Sequence, residues 1–286
     1  MEGGKAYQVK KWNLIIDVAK CHDCNNCFLS CKDEFFENDF APFSAAQPRH
    51  GQRWININRV ERGQYPKVDV AYLPVPCMHC DEAPCIKKSK DGAVYKREDG
   101  IVLIDPEKAK DQKNIVETCP YDVIWWNAEM ALPQKCTFCV HLLETGWAQP
   151  RCVQACPTGA MRVYFIEDSV MQKVKKSESL EVYMPQYNTV PRVYYQNLYR
   201  YTKCFIAGSV ALKDSDECAE GAKVTLRKGS KKAAAEAMTN NYGDFRIDDL
   251  EKESGKYRLV IEYPGHKKKE LSVELKTSVN LGTIFL

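Results

Sequence analysis

The sequence predicts an α+β protein with two unlike parts, a cysteine-rich N-terminal domain and a C-terminal seven-stranded all-β sandwich. Twelve of the 14 cysteines lie before residue 157, in groups with short, regular spacings. From about residue 204 the chain changes to short, often alternating apolar segments separated by turn residues, which is typical of a sandwich. We therefore expect a first domain over residues 1–160, a connector over 161–203 and the sandwich over 204–286.

Composition narrows the class of protein. The 286 residues carry 41 basic and 38 acidic side chains, and this balanced net charge of +3 argues against nucleic acid as a partner. We expect basic runs such as Lys267-Lys268-Lys269 and Lys231-Lys232 to be solvated. No apolar run approaches the roughly 18–20 residues of a transmembrane helix, and the N-terminus has no pattern of a signal peptide. Cysteines spaced as metal ligands favour a reducing compartment, so we expect a cytoplasmic protein.

The first twelve cysteines form four groups. The first group, "CHDCNNCFLSC", has the spacing C-x2-C-x2-C-x3-C that holds [4Fe–4S] clusters in bacterial ferredoxins. The second is "CMHCDEAPC", the third is a lone cysteine followed by proline, and the fourth is "CTFCVHLLETGWAQPRCVQACPTGA". This pattern predicts a double ferredoxin-like iron–sulfur domain. The groups contain Cys21, Cys24, Cys27 and Cys31; Cys77, Cys80 and Cys85; Cys119; and Cys136, Cys139, Cys152 and Cys156.

A crossing rule sorts these cysteines into ligand sets. In two-cluster ferredoxins the fourth cysteine of each run ligates the other cluster. If groups one and four exchange their last cysteines, and groups two and three do the same, three complete sets of four result. Set A is Cys21, Cys24, Cys27 and Cys156; set B is Cys136, Cys139, Cys152 and Cys31; set C is Cys77, Cys80, Cys85 and Cys119. The sequence thus predicts three [4Fe–4S] clusters.

A fourth set is missing as a whole. The lone Cys119 ends a run that would need cysteines at positions 109, 112 and 115, where the chain has Ala109, Gln112 and Ile115. The corresponding last position of group two holds Ser89. Cys119 is retained because the crossing rule gives it to set C and not to the lost cluster.

Other metal sites remain as alternatives. Cys77 and Cys80 could form a zinc site with Cys136 and Cys139, although zinc does not need the tight first group. A [3Fe–4S] cluster is possible if one ligand fails. We expect His22, His79 and His141 to be neighbouring donors or surface residues, and we expect Cys204 to be a buried thiol and Cys218 a loop residue.

The remaining segments predict simple elements. Alternation at Ile55 and Ile57 and again over Val68–Tyr72 predicts strands, and "GAVYKREDGIVLIDP" predicts a hairpin with its turn at Asp99-Gly100. "EDSVMQKVKKSE" predicts a helix capped by Asp168 or Ser169. The sandwich strands are expected in "CFIAGSVALK", "AKVTLRK", "AAEAMT", "DFRIDD", "YRLVIEY", "ELSVEL" and "NLGTIFL", with hairpin turns at "RKGSKK" and "TNNYGDF". We expect Tyr194, Tyr195, Tyr199 and Tyr201 to be packing or interface residues, and we find no catalytic constellation.

Four ferredoxin-type groups in this order, ending in "CPTGA", resemble the iron–sulfur subunit of molybdopterin oxidoreductases of the dimethyl sulfoxide reductase family. The resemblance covers roughly residues 12–200. The lost cluster, the sandwich and the segments "DVAKCHDCNNCF", "PCMHC", "EDGIVLIDPEKAK" and "PRVYYQNLYR" narrow it to small subunits of enzymes that act on polyhydroxylated aromatics. The sandwich resembles the carboxypeptidase-regulatory or Cna-B type of domain.

The resemblance implies an electron-transfer subunit that is itself non-catalytic. It implies a large catalytic subunit that carries molybdenum or tungsten bis-pterin, and an external electron donor or acceptor. The whole enzyme would be a transhydroxylase, with a phenol hydroxylase or catechol dehydroxylase as the alternative. Two alternative hypotheses from other functional classes are that the chain is a free-standing polyferredoxin carrier, or that it is a structural metal or interaction protein.

Overall fold

A computed structural model of the chain describes residues 9–229 and 233–286. The chain divides into two compact units. The first comprises Met1–Asn58 and Tyr72–Leu198, and the second comprises Arg59–Ala71 and Tyr199–Leu286. The predicted basic pair Lys231-Lys232 and most of "RKGSKK" lie outside the described residues. No helix in the described part of the chain is long and apolar enough to cross a membrane.

The first unit consists mainly of short elements linked by loops. The strands are β1 (Lys10–Asp17), β2 (Ile55–Gln64), β3 (Lys67–Pro76), β4 (Val94–Lys96), β5 (Val102–Ile104), β6 (Trp125–Asn127), β7 (Leu132–Gln134), β8 (Met161–Glu167) and β9 (Val193–Gln196). The helices are α1 (Asn26–Phe35), α2 (Pro84–Lys88), α3 (Val140–Glu144), α4 (Arg151–Gln154) and α5 (Asp168–Ser177), with 3-10 helices at Lys113–Thr118 and Pro185–Tyr187. The tip of the hairpin formed by β2 and β3, residues 59–71, belongs to the second unit.

A three-stranded sheet anchors the first unit. Its central strand β1 is the run "KKWNLIID", whose apolar half is fully buried at Ile15 and Ile16. β1 pairs antiparallel with β8 and parallel with β9, although both strands lie after the last cluster cysteine. The expected connector 161–203 is therefore part of the first unit up to Leu198, because backbone hydrogen bonds join it to β1.

The elements predicted in this unit are confirmed with small shifts. β4 and β5 pair antiparallel across the expected turn, with Val94 opposite Ile104. Strands β2 and β3 extend beyond the predicted alternation. Helix α5 is present, but its N-cap is Glu167 and not the predicted Asp168 or Ser169. Met171 packs this helix against the core because it faces the sheet, while most of the other helix residues are polar or charged.

The second unit contains two sheets that share one apolar core. Its elements are α6 (Tyr199–Thr202), β10 (Cys204–Ala211), β11 (Lys223–Arg227), β12 (Ala233–Met238), β13 (Asp244–Leu250), β14 (Gly255–Glu262), β15 (Lys269–Leu275) and β16 (Val279–Phe285). One sheet has the order β13-β10-β16 and the other the order β12-β11-β14-β15. Alternation explains the shared core, because Val273 and Leu275 point inward while Ser272 and Glu274 are exposed, as predicted.

The segment "TNNYGDF" is a turn but not a hairpin. The Asn240 side chain accepts hydrogen bonds from the backbone N–H groups of Tyr242 and Asp244, which closes the turn. However, β12 pairs with β11 and β13 pairs with β10, so the turn carries the chain from one sheet to the other. Local turn chemistry predicts the bend, whereas strand pairing is decided by burial of both faces of the core.

Candidate metal centres

The four thiols of set A lie near one another. Burial raises the pKa of the Cys27 thiol to about 12, and the neighbouring thiols of Cys21, Cys156 and Cys24 contribute to the rise. The pKa of Cys21 is raised by burial, and Cys156 and Cys24 act in the same direction. Burial raises the pKa of Cys156, but hydrogen bonds from Thr158 and from the backbone that follows together outweigh this effect. The pKa of Cys156 therefore lies below the ordinary value. All four thiols of the set are therefore neighbours, although Cys156 is far along the chain.

Set B surrounds a buried apolar cavity. Cys31, Cys136, Cys139 and Cys152 line this cavity together with Phe35, Trp54 and Phe138, among other residues. Burial raises the pKa of Cys136 to about 11, and burial together with the neighbouring thiols raises the pKa of Cys152 and Cys31 well above the usual value. The four thiols thus enclose a volume that water reaches poorly.

Set C lines a second cavity. Cys77, Cys80, Cys85 and Cys119 form its walls with Met78, Ile124 and Lys135, among other residues. Burial raises the pKa of Cys80 to about 12, with Cys77, Cys119 and Cys85 acting in the same direction. The structure therefore brings the lone Cys119 close to the second group of cysteines.

The first C-x2-C pairs of groups one, two and four share one backbone geometry. The residue before the second cysteine has a positive φ in each pair: 56° at Asp23, 44° at His79 and 59° at Phe138. This left-handed residue turns its own N–H back toward the first thiol. The N–H donors of His79 and Phe138 lie 3.5 Å and 3.3 Å from the Sγ atoms of Cys77 and Cys136, and Asp23 donates in the same way to Cys21. Such N–H donors stabilise a thiolate over a thiol.

The sets follow one another in the order A, B, C. Cys27 of set A is among the thiols that raise the pKa of the half-buried Cys152 of set B. On the other side, Cys77 of set C raises the pKa of Cys136 of set B and also lines the set B cavity. Set B therefore lies between the other two.

The positions of the missing set are filled by protein. Ala109 and Ile115 are fully buried, and successive backbone hydrogen bonds place residues 109, 112 and 115 at three-residue steps. The Gln112 side-chain oxygen accepts a hydrogen bond from the N–H of Lys90, next to Ser89. The Ser89 hydroxyl donates to the carbonyl of Ile86 and accepts from the N–H of Val94. Apolar packing and hydrogen bonds thus occupy the place where the spacing would put a fourth cluster.

The histidines beside the cysteines have different environments. His22 is exposed, whereas the half-buried His141 ring lies 3.0 Å from a carboxylate oxygen of Glu34 and stacks on Phe40. The buried His79 accepts the N–H of Val102 at Nδ1, and burial holds its pKa well below the usual range. His79 is therefore a neutral imidazole with its proton on Nε2. Of the remaining thiols, Cys204 is buried and Cys218 is exposed in a loop, as expected.

Charged residues near the cysteine loops were missed by the sequence analysis. Arg192 and Asp81 form an ion pair behind the second group, and the buried Lys135 precedes Cys136. A lysine directly before a C-x2-C pair was the available signal for Lys135. Arg192 has no local signal, because its partner lies 111 residues away. Within residues 9–229 and 233–286, no group of three or more His, Cys, Asp or Glu side chains is arranged around a single metal ion.

Tyrosines of the predicted connector have a packing role. The fully buried Tyr195 donates its hydroxyl hydrogen to the carbonyl of Pro74 at 2.9 Å. Tyr194 packs with Ile15 and Met171 in a small core next to helix α5. These contacts hold β9 in the sheet. Tyr194 and Tyr195 are therefore packing residues, which is one of the two roles expected for them.

Two family models match this chain, one in its cysteine-rich part and one in its C-terminal part. A 4Fe-4S dicluster domain matches residues 68–165, and a carboxypeptidase regulatory-like domain matches residues 206–284. The pyrogallol hydroxytransferase small subunit of Pelobacter acidigallici is 46% identical, and the match covers 97% of this chain and 100% of the relative.

Relatives with other names share the N-terminal part. A tetrathionate reductase subunit of Salmonella typhimurium is 33% identical, over 66% of this chain and 73% of that protein. The arsenate respiratory reductase iron–sulfur subunit of a Shewanella strain is 29% identical, over 64% of this chain and 94% of that protein. Because a relative matches it over nearly its full length, the chain belongs to the family of electron-transfer iron–sulfur subunits of dimethyl sulfoxide reductase-type molybdopterin oxidoreductases.

Proposed function

We propose that this chain is the small subunit of a heterodimeric molybdenum or tungsten bis-pterin enzyme that acts on polyhydroxylated aromatics. The observation that carries the proposal is the full-length identity of 46% to a subunit named for pyrogallol hydroxytransferase. The large partner subunit would bind the phenol and hold the pterin metal. This chain would transfer electrons and contribute no catalytic residue.

We propose further that sets A, B and C each hold one [4Fe–4S] cluster. When bound, the clusters would supply three one-electron sites in series. The thiols fit this role, because the four thiols of each set lie near one another and sets B and C line cavities. Backbone N–H donors at Asp23, His79 and Phe138 favour the thiolate form that binds iron. Apolar residues such as Phe35 and Trp54 keep water away from set B.

The C-terminal sandwich and the cellular location of the protein belong to the same proposal. A seven-stranded sandwich would be a docking or stabilising module, since the sequence offers no catalytic constellation there. Reduced cysteines fit a cytoplasmic location.

Metal analysis of the anaerobically purified native complex tests the proposal. Three clusters predict about 12 iron atoms per chain, together with about one molybdenum or tungsten in the complex. The same iron content without either metal, in a monomer, would favour the free polyferredoxin. About 16 iron atoms would mean that a fourth cluster is held by other ligands or by the partner. Zinc in place of iron would overturn the proposal.

A second experiment separates the transhydroxylase from the hydroxylase or dehydroxylase. Moving a hydroxyl group between two aromatic rings has no net demand for electrons. We therefore expect the purified complex to turn over phenols without an added electron acceptor or donor. Strict dependence of turnover on an artificial electron acceptor or donor would favour the alternative enzymes.

A further inference from the structure

Lys135 is a buried ammonium group at the junction of sets B and C. The residue is 3% exposed. Its Nζ atom donates hydrogen bonds to the carbonyl of Val102 and, at 3.1 Å, to the carbonyl of Cys136. In the described parts of the chain no carboxylate forms an ion pair with it. Two carbonyl groups thus hold the side chain in place but leave its positive charge without a counter-charge from protein carboxylates.

The position of Lys135 relates it to two ligand sets. The residue lines the cavity walled by Cys77, Cys80, Cys85 and Cys119, and it is directly followed in the chain by Cys136 of set B. The charge therefore acts on the place where negative charge accumulates when cluster C is reduced.

Two other lysines near the cysteines of set C are compensated or exposed. Lys96 donates to the carbonyl of Cys80 at 2.8 Å, but it also forms an ion pair with Asp81. Lys87 is two residues from Cys85, yet its side chain is 65% exposed and pairs with Glu82. Solvent and a carboxylate weaken the field of such a group at the clusters. Lys135 combines burial, proximity and an uncompensated charge.

Reduction of a [4Fe–4S] cluster adds one electron and makes the cluster more negative. A fixed cation in a poorly solvated place stabilises the reduced state more than the oxidised state. We propose that Lys135 raises the reduction potential of the cluster held by set C, and so favours residence of an electron at that end of the series. The electron would come from a cluster held by set B, and no bond would form and no proton would be transferred. The inference rests on the proposed cluster-binding function.

Redox titration of the anaerobic native complex, followed by electron paramagnetic resonance, tests the inference. Lys135→Met keeps the length of the side chain but removes the charge. We expect the oxidised-to-reduced ratio of the set C signal, at the wild-type midpoint, to rise about tenfold, which corresponds to about 59 mV for one electron. Lys135→Arg keeps the charge and should restore most of the shift. The matched control Lys87→Met should leave the midpoint unchanged.

Signal assignment and iron content make the result decisive. The signal of set C is the one lost in Cys119→Ser. An unchanged midpoint in Lys135→Met with full iron content, or a shift confined to the set A signal, would overturn the inference. Loss of iron from both Lys135→Met and Lys135→Gln would assign the residue a purely structural role and would equally overturn it. Absence of cluster signals from the wild-type complex would refute the proposed function instead.

Discussion

The guanidinium of Arg192 contacts the carboxylate of Asp81 at two points, with Nε 2.8 Å from Oδ1 and Nη2 2.7 Å from Oδ2. The same guanidinium also donates to Asp168 at 3.0 Å. Asp81 directly follows Cys80, and the backbone N–H of Arg192 donates to the carbonyl of Met78. A segment after all the ligand cysteines thus supports the loop that carries three thiols of set C.

Replacing Arg192 should loosen this loop. Arg192→Lys keeps a positive charge but cannot form the two-point contact. We therefore expect it to lower the free energy of unfolding by about 1–3 kcal/mol. The expected result is faster release of iron to a chelator, limited to about four of 12 iron atoms per chain. Arg258→Lys is the matched control, because Arg258 is half exposed and pairs with Glu270 at 3.6 Å. Equal iron release from both variants would refute a supporting role for Arg192.

The assignment of Cys119 to set C predicts a defined loss of iron. Cys119→Ser should lower iron from about 12 to about eight atoms per chain, or to about 11 if a [3Fe–4S] cluster remains. Cys218→Ser should change nothing, because this thiol is exposed in a loop of the second unit. Iron analysis and electron paramagnetic resonance of the purified complexes measure the outcome. Retention of all iron in Cys119→Ser would contradict the ligand assignment.

Ile115 now contributes to packing at a position where the cysteine pattern would require a ligand. Its side chain is fully buried in the 3-10 helix Lys113–Thr118. Ile115→Ala should lower the free energy of unfolding by about 2–5 kcal/mol, and Ile115→Val by about 0.5–1.5 kcal/mol. Urea unfolding followed by far-ultraviolet circular dichroism checks this order. If Ile115→Ala were as stable as the wild type, the site of the lost cluster would not be a packed core.

Asp69 predicts a pH dependence in the second unit. Burial raises its pKa, but hydrogen bonds from Arg246 and Arg62 outweigh this effect and lower the pKa to about 2. A carboxylate with a lowered pKa stabilises the fold above its unfolded pKa of about 3.9. That stability is lost as the pH falls through about 2.

Asp69→Asn should therefore destabilise the second unit at pH 7 by about 1–2 kcal/mol, after allowance for solvent screening. The difference between variant and wild type should shrink as the pH falls from about 4 to about 2. Hydrogen–deuterium exchange of peptides from residues 204–286 in the intact chain measures both effects. Asp214→Asn, an exposed carboxylate in the loop after β10, is the control. A difference that stays constant over this pH range would contradict the predicted ion-pair contribution.

Sequence alone was sufficient for the features that local spacing controls. Cysteines with two or three residues between them predict metal ligands, because one tight turn delivers their thiols to one place. The hairpin at Asp99-Gly100 and the alternation of Val273 and Leu275 are local in the same sense. The crossing rule extends the same prediction to Cys156 and Cys31, since it is a property of the repeat and not of a particular contact.

Tertiary structure decided the relations between distant parts of the chain. It placed set B between sets A and C, joined β8 and β9 to β1, and brought Arg192 to Asp81. It also showed that Lys135 is buried without a carboxylate partner in the described residues, whereas Lys96 is paired. A sequence pattern records which residues are near in the chain. The burial of a side chain, the electrostatic field at a site and the pairing of strands depend on which residues are near in space. Only the folded chain fixes that.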